Sequence, residues 1–375
     1  MNTPTPSRGT PDPFEVDPLT HALSGFVERH RAFVVRASRW ETRAYREELA
    51  ERRIDRPVFI TGLARSGTTI LLEFAAGLSG VATHRYRDFS LLHTPIWWNG
   101  FLDRTPRRES APVERSHQDG IAVTPESPEA MEEPLWMTWF PRSHDPAVSQ
   151  VLGARDGNAD FEAFFRDHLR KILFLRQGRR YVSKNNYNLT RMQYLLHLFS
   201  DAKFVIPIRE PVGHLASIMR QQKLFAEGER RQPKAIDHLR RVGHFEFGLD
   251  RRPINPGAAE RIREIAALWA AGLEVRGWAR YWKLMADFVA KQLRADPALR
   301  KAAVCVPFER FCENPAEVLT RLCEHCEFDG ASARIAEFAA RVRVPNYYTH
   351  GFTDADLAVI REETGGVEWP AALSV

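Results

Sequence analysis

The segment Gly62-Leu-Ala-Arg65-Ser66-Gly67-Thr68-Thr69 constrains this chain more than any other stretch. It follows residues 56–61, Arg-Pro-Val-Phe-Ile-Thr, a short apolar run of the kind a strand buried on both faces shows. Residues 67–78 behind it read as a helix. Glycines five residues apart let the backbone curl with successive N–H groups turned inward. The helix that follows aims its positive end at the same point. Strand, anion cradle and helix in that order define the opening unit of an α/β fold.

Three later segments repeat the strand signature, at 181–183, 203–208 and 302–306, although Pro207 has no N–H for a ladder. Helical spacing occupies 161–175, 189–199 and 212–225, with one long helix expected across 258–293. Strands alternating with helices predict a P-loop-like three-layer sandwich, with a central parallel sheet and helices on both faces. Residues 86–155 are rich in Pro, Trp and His with little periodicity, and predict a long loop and helical insertion near the active site. The expected organisation is a flexible leader over 1–17 and a single domain over 18–375. Within that domain 18–52 form one or two amphipathic helices, 56–79 the phosphate-binding unit, 86–155 the acceptor-side insertion and 179–318 the remaining core.

Net charge of +5 and a pI near 9.1 suit a pocket for a small polyanion, and are too weak for nucleic acid as a partner. Four cysteines in 375 residues give no disulfide framework, which points to a reducing compartment. Cys323-Glu-His325-Cys326 falls in a helical segment, 315–328, and Cys305 in a strand, so buried thiols are the first reading and a zinc site the lesser one. No signal peptide and no transmembrane run is visible, so a cytoplasmic location is expected.

The cradle has the frame of a nucleotide P-loop, but Thr68 stands where that motif has lysine. A nucleoside triphosphate needs that lysine and Mg²⁺ for its β- and γ-phosphates. The strand ending at Ile208 is followed by Arg209 and not by a metal-binding Asp. A phosphosulfate carries less charge and needs no metal, and Arg65 supplies a planar donor fork for its bridging region. The run Arg65-Ser66-Gly67-Thr68-Thr69 resembles the 5′-phosphosulfate loop of the sulfotransferases that use 3′-phosphoadenylyl sulfate (PAPS), in the Arg-containing bacterial and Golgi-type branch. The resemblance implies PAPS as donor, no metal, and donor contacts from Arg65, Ser66, Gly67, Thr68 and Thr69.

Members of that family hold the donor's 3′-phosphate with an Arg at a strand end and a Ser eight residues later, which here implies Arg209 and Ser217. Local chemistry agrees: Glu210 is a fit N-cap, Pro211 suits the first helical position, and Ser217 follows about two turns on. The segment 306–315 is similar to a further family element after the last core strand, with Glu309 in an orienting role. Lys184 sits at a strand end where relatives also carry lysine, but Asn185 and Asn186 replace its usual partners and exclude a histidine base there.

The base that takes the acceptor's proton has several candidates. The resemblance implies a carboxylate soon after the loop helix, for which Asp88 is nearest. Glu132 and Glu133 sit in an acidic patch of the insertion, and Glu133 joins Arg65, Lys184 and Asp88 as the catalytic set. His84, His93 and His117 are weaker choices. Trp97, Trp98, Trp136, Trp139 and Phe140 form either an acceptor platform or insertion core. The expected reaction moves a sulfuryl group to a hydroxyl or amine of a glycan, lipid or other small acceptor. A non-catalytic nucleotide-binding protein and an atypical P-loop kinase or NTPase are the rivals. Acceptor identity and oligomeric state are not legible in the residues.

Overall fold

A computed structural model describes residues 12–105, 112–115, 117, 122–343 and 350–369. Five strands form one parallel sheet: β1 (Val58–Ile60), β2 (Val81–Ala82), β3 (Arg180–Lys184), β4 (Lys203–Ile208) and β5 (Ala303–Pro307). Their spatial order is β2-β3-β1-β4-β5, all neighbours parallel. β1 is therefore central, with Ile60 level with Lys184 on one side and Val205 on the other.

The strands read as unbroken apolar runs because both faces are covered. Phe59, Tyr181, Phe204, Ile206 and Cys305 point into one layer, packed by the helices Ala159–Leu175, Met192–Leu198, Pro211–Arg231 and Glu274–Ala295. Val58, Ile60, Val182, Val205, Val304 and Val306 point into the other, packed by Thr68–Ala76, Pro315–Cys326 and Ser332–Ala339. The cysteines divide between the layers: Cys305 lies in the first, Cys323 and Cys326 in the second, and burial pushes each of these thiols up to about 12. Pro207 is tolerated in mid-sheet for a local reason. The Val205 carbonyl accepts from Thr61 N–H at 2.9 Å, so the Val205–Pro207 edge faces β1, which has by then left the sheet for the loop.

Three expectations change. The long helix over 258–293 is two, Ala259–Ala270 and Glu274–Ala295, parted at Gly272 with φ +77°. The amphipathic N-terminal region forms three helices, Pro18–Arg29, Arg31–Ala44 and Arg46–Ala50. The leader is fixed at its end: residues 1–11 lie outside the described set, but Phe14 is buried edge-on against Phe225, 5.1 Å between centroids. The insertion carries a 3₁₀ turn (Tyr86–Leu91), the helices Pro95–Arg104 and Glu133–Trp139, and a hairpin of Val113–Glu114 with Ala122–Val123. Among the described residues no helix is long and apolar enough to cross a membrane.

Candidate active site

Ligands of open parallel sheets sit beyond the carboxyl ends of the strands where the chain order reverses, and here that point is the end of β1. The loop leaving β1 is tightly determined. A Cβ on Gly62 would stand 2.7 Å from Ser66 Oγ and 3.1 Å from the Pro207 carbonyl oxygen. Gly67 has φ +107°, and a Cβ there would meet the Phe308 ring at 2.6 Å. Arg65 also takes a left-handed conformation, φ +72°, uncommon for a residue with a side chain and a mark of strain held by its surroundings. The buried hydroxyl of Ser66 has no hydrogen-bond partner among the described residues. A cradle with an orphaned hydroxyl beside a helix N-terminus at Thr68 fits an anionic ligand group.

The second predicted cluster converges on the same crevice. Arg209, directly after β4, donates through Nη1 to the Arg65 carbonyl at 3.2 Å, and its guanidinium lies 4.9 Å from the Phe308 ring centre. Arg65 Nε donates to Ser217 Oγ at 3.2 Å. Ser217 is carried there by the helix Pro211–Arg231, whose start is capped by Glu210 accepting from Val212 and Gly213 N–H, with Pro211 at the first position. Glu309 accepts from Glu210 N–H at 3.1 Å and so sets where that helix begins.

A cavity of about 550 Å³ opens over these groups. Arg65, Gly67, Thr68, Thr69, Lys184 and Arg209 all line it. Lys184 ends β3 and stands 3.9 Å from Glu129. Burial drives the Lys184 ammonium below its ordinary pKa, against the pull of Glu129, and Arg115 adds to the decrease. For Glu129 burial pushes upward, but Lys184 and Arg115 outweigh it and hold the carboxyl low. Arg115 also reaches Thr69 Oγ1 at 3.4 Å.

The carboxylates expected as bases are otherwise engaged. Asp88 is fully buried, accepts from Arg176 Nη2 at 2.6 Å through both oxygens, from Asn99 at 2.9 Å and from Arg85 N–H at 2.8 Å. It is not among the cavity residues, and it closes the turn at 86–91. Glu133 does border the cavity, yet Arg191 grips both its oxygens at 2.7 and 2.8 Å, with His144 at 2.7 Å and Asn185 at 2.8 Å. Burial alone would raise its pKa; Arg191 and His144 prevail and hold it at about 2, so it makes a poor proton acceptor. Glu132 is fully buried and raised by burial, with Tyr181 donating to it at 2.7 Å. His84 and His93 are buried away from the cavity, whereas His117 lines it and pairs with Gln221 at 3.0 Å. None of the five candidate platform aromatics lines the cavity. Trp136 is wholly buried and Trp139 and Phe140 pack against the core around Phe161, so these three are core; Trp97 is exposed.

Sequence reasoning missed several groups. His214 Nε2 donates to the Ala64 carbonyl at 2.9 Å while its Nδ1 accepts from Trp282 Nε1 at 3.1 Å, so two helices hold the loop from behind. Burial drives this histidine down to about 3, and Arg209 and Arg65 assist against the Ala64 bond. His244 and Glu246 line the cavity beside Lys184. Asn186 donates to Glu246 Oε1 at 2.9 Å, and the other oxygen, Oε2, lies 3.6 Å from His244 Nδ1. Neither of those two atoms has a hydrogen-bond partner among the described residues. The signal in the sequence was Gly243-His-Phe-Glu-Phe-Gly248, whose glycines have φ +76° and +96° and fix the segment's two ends.

The profile of the sulfotransferase family matches residues 57–251, just over half of the chain. No curated relative matches the sequence. Among solved structures the chain is similar to sulfotransferase STF1 from Mycobacterium tuberculosis H37Rv, at 15% identity over 88% of this chain and 81% of that one, TM-score 0.48. It is also similar to sulfotransferase STF9 from Mycobacterium avium, at 13% identity over 96% and 84%, TM-score 0.47. A sulfotransferase from Alicyclobacillus acidocaldarius matches at 15% identity over 83% and 96%, TM-score 0.34.

Proposed function

Because this chain belongs to the sulfotransferase family, we propose that it moves a sulfuryl group from PAPS to a hydroxyl or amine of a small acceptor, without a metal ion. The observation that carries this reading is the meeting of two anion-binding clusters in one crevice, joined by the Arg209–Arg65 and Arg65–Ser217 hydrogen bonds. One doubly phosphorylated nucleotide spans such a pair. The loop amides of 66–69 with the Ser66, Thr68 and Thr69 hydroxyls hold its 5′ side, and Arg209 with Ser217 holds its 3′-phosphate. Metal independence rests on Thr68 in the P-loop lysine position and Arg209 at the end of β4.

The donor supplies the sulfuryl group, and this chain's residues place the acceptor in line with it and manage charge and proton. Arg65 and Lys184 offset the negative charge that grows on the bridging oxygen as its bond to sulfur breaks. His244 takes the acceptor's proton as the new bond to sulfur forms, and Glu246 stabilises the resulting imidazolium. This pair, rather than Asp88 or Glu133, serves as base in this reading because both residues line the cavity, which Asp88 does not, whereas Arg191 holds both oxygens of Glu133.

Isothermal calorimetry with adenosine 3′,5′-bisphosphate tests the donor site. Tight binding that survives EDTA is expected, and no binding, or preference for ATP with Mg²⁺, would overturn the reading. Transfer from labelled PAPS, once an acceptor is identified, then tests His244→Asn. A loss of about 10²-fold in kcat with bisphosphate affinity intact is expected.

A further inference from the structure

Eight large apolar side chains are exposed among the described residues, and six of them, Leu19, Phe26, Phe33, Trp40, Trp97 and Phe101, belong to the first two of the three N-terminal helices and to the helix Pro95–Arg104. Four fall at intervals of seven residues, 19 and 26 on the first helix and 33 and 40 on the second, an interval that keeps each pair on one face. Ring contacts join the two pairs into one stripe: Phe26 meets Phe33 edge-on at 6.1 Å, and Phe33 meets Trp40 at 6.3 Å. The stripe is charged in register. Arg29, Arg36 and Arg43 each follow an aromatic by three positions, the spacing that puts side chains next to one another. Phe101 and Arg104 repeat the pattern on the neighbouring helix, which Trp97 N–H ties to Glu41 at 2.7 Å.

The carboxylates of these two N-terminal helices do not neutralise the stripe. Glu28 is taken by Arg241 at 2.8 Å, and Glu41 is buried against Lys171 at 3.1 Å. Exposed aromatics alternating with arginines along about 30 Å of helix form an amphipathic surface whose complement is apolar and anionic at once. A bilayer interface offers both, since aromatic rings settle at headgroup level and anionic headgroups attract arginine. A second copy of the chain fits less well. A coiled-coil seam needs two apolar positions per heptad, and pairing the stripe with itself would set arginine against arginine.

We propose that this stripe docks the protein on the surface of an anionic bilayer. The cavity lies near one end of the stripe, where Thr20, next to Leu19, lines it. The proposal stands whether or not the chain transfers sulfuryl groups.

Co-sedimentation of the full chain with phosphatidylcholine vesicles, with and without phosphatidylglycerol, tests it. Binding to the anionic vesicles alone, released by salt, is expected. R36E/R43E should weaken partition at least about tenfold. W40S, at an exposed site, should weaken it with bisphosphate affinity unchanged. No binding to anionic vesicles, or equal binding by wild type and both variants, overturns the proposal. So does a dimer in solution that F33S/W40S converts to monomer, since a second copy would then cover the stripe.

Discussion

Arg65 and Arg209 act as one unit, because the guanidinium of the second holds the backbone carbonyl of the first. Arg65→Ala and Arg209→Ala are each expected to lower transfer by about 10²-fold or more, as loss of a single oxyanion-type donor does. The double variant should lose far less than the product of the two, and steady-state kinetics on all three reads that coupling. Glu133 is expected to behave differently. Glu133→Gln leaves the buried Arg191 guanidinium short of its counter-charge, a change that costs about 3–5 kcal/mol. Urea unfolding should show that loss, and enzyme that remains folded should still transfer. The sign at low pH follows from its depressed pKa. The stabilisation from Glu133 is complete above about 4.5, its ordinary value, and disappears as pH falls toward about 2.

At the scale of elements, glycines separate the two kinds of loop. Gly62→Ala forces a Cβ against Ser66 and the Pro207 carbonyl, so the loop must shift; bisphosphate affinity should fall more than about tenfold by calorimetry. Gly272→Ala meets nothing within 4 Å and only strains a left-handed backbone. It should cost about 1 kcal/mol of stability in a thermal melt and leave binding alone. That glycine is also where sequence reading ran two helices together, since apolar spacing continued through it and gave no sign of a left-handed turn. Four of the five strands, by contrast, were legible to within a residue or two, at 58–60, 180–184, 203–208 and 303–307, because burial on both faces demands unbroken apolar runs, whereas the two-residue β2 was too short to show one. That Arg65 and Arg209 meet in one crevice was legible for a related reason: backbone curvature and strand ends leave local marks. The proposed base was not. His244 and Glu246 join Lys184 around the cavity only through long-range packing, and Asp88, the acid nearest the loop helix, is claimed by Arg176, which lies 88 residues away.

Among the described residues four buried histidines are held uncharged, His84 and His93 at about 4, His214 at about 3 and His168 lower than usual, and the half-buried His238 also sits at about 4, burial being the first cause in each. His84 and His168 even share one proton between ring nitrogens 2.8 Å apart. Unfolding frees all five to take up protons below their ordinary value of about 6.5. Stability should therefore be full above that pH and fall steadily toward about 4, and calorimetric melts between pH 7 and 5 should show a declining Tm with net proton uptake. A flat Tm across that range would contradict the burial pattern.

His214 gives that acid response a particular location. Its ring can offer a hydrogen to Ala64 and a lone pair to Trp282 only while it carries a single proton. A second one would set two N–H groups facing each other across 3.1 Å, directly behind the loop over 62–69. As pH falls toward about 3, below the values of His84 and His93, the loop that carries Ala64 should thus come adrift from its backing.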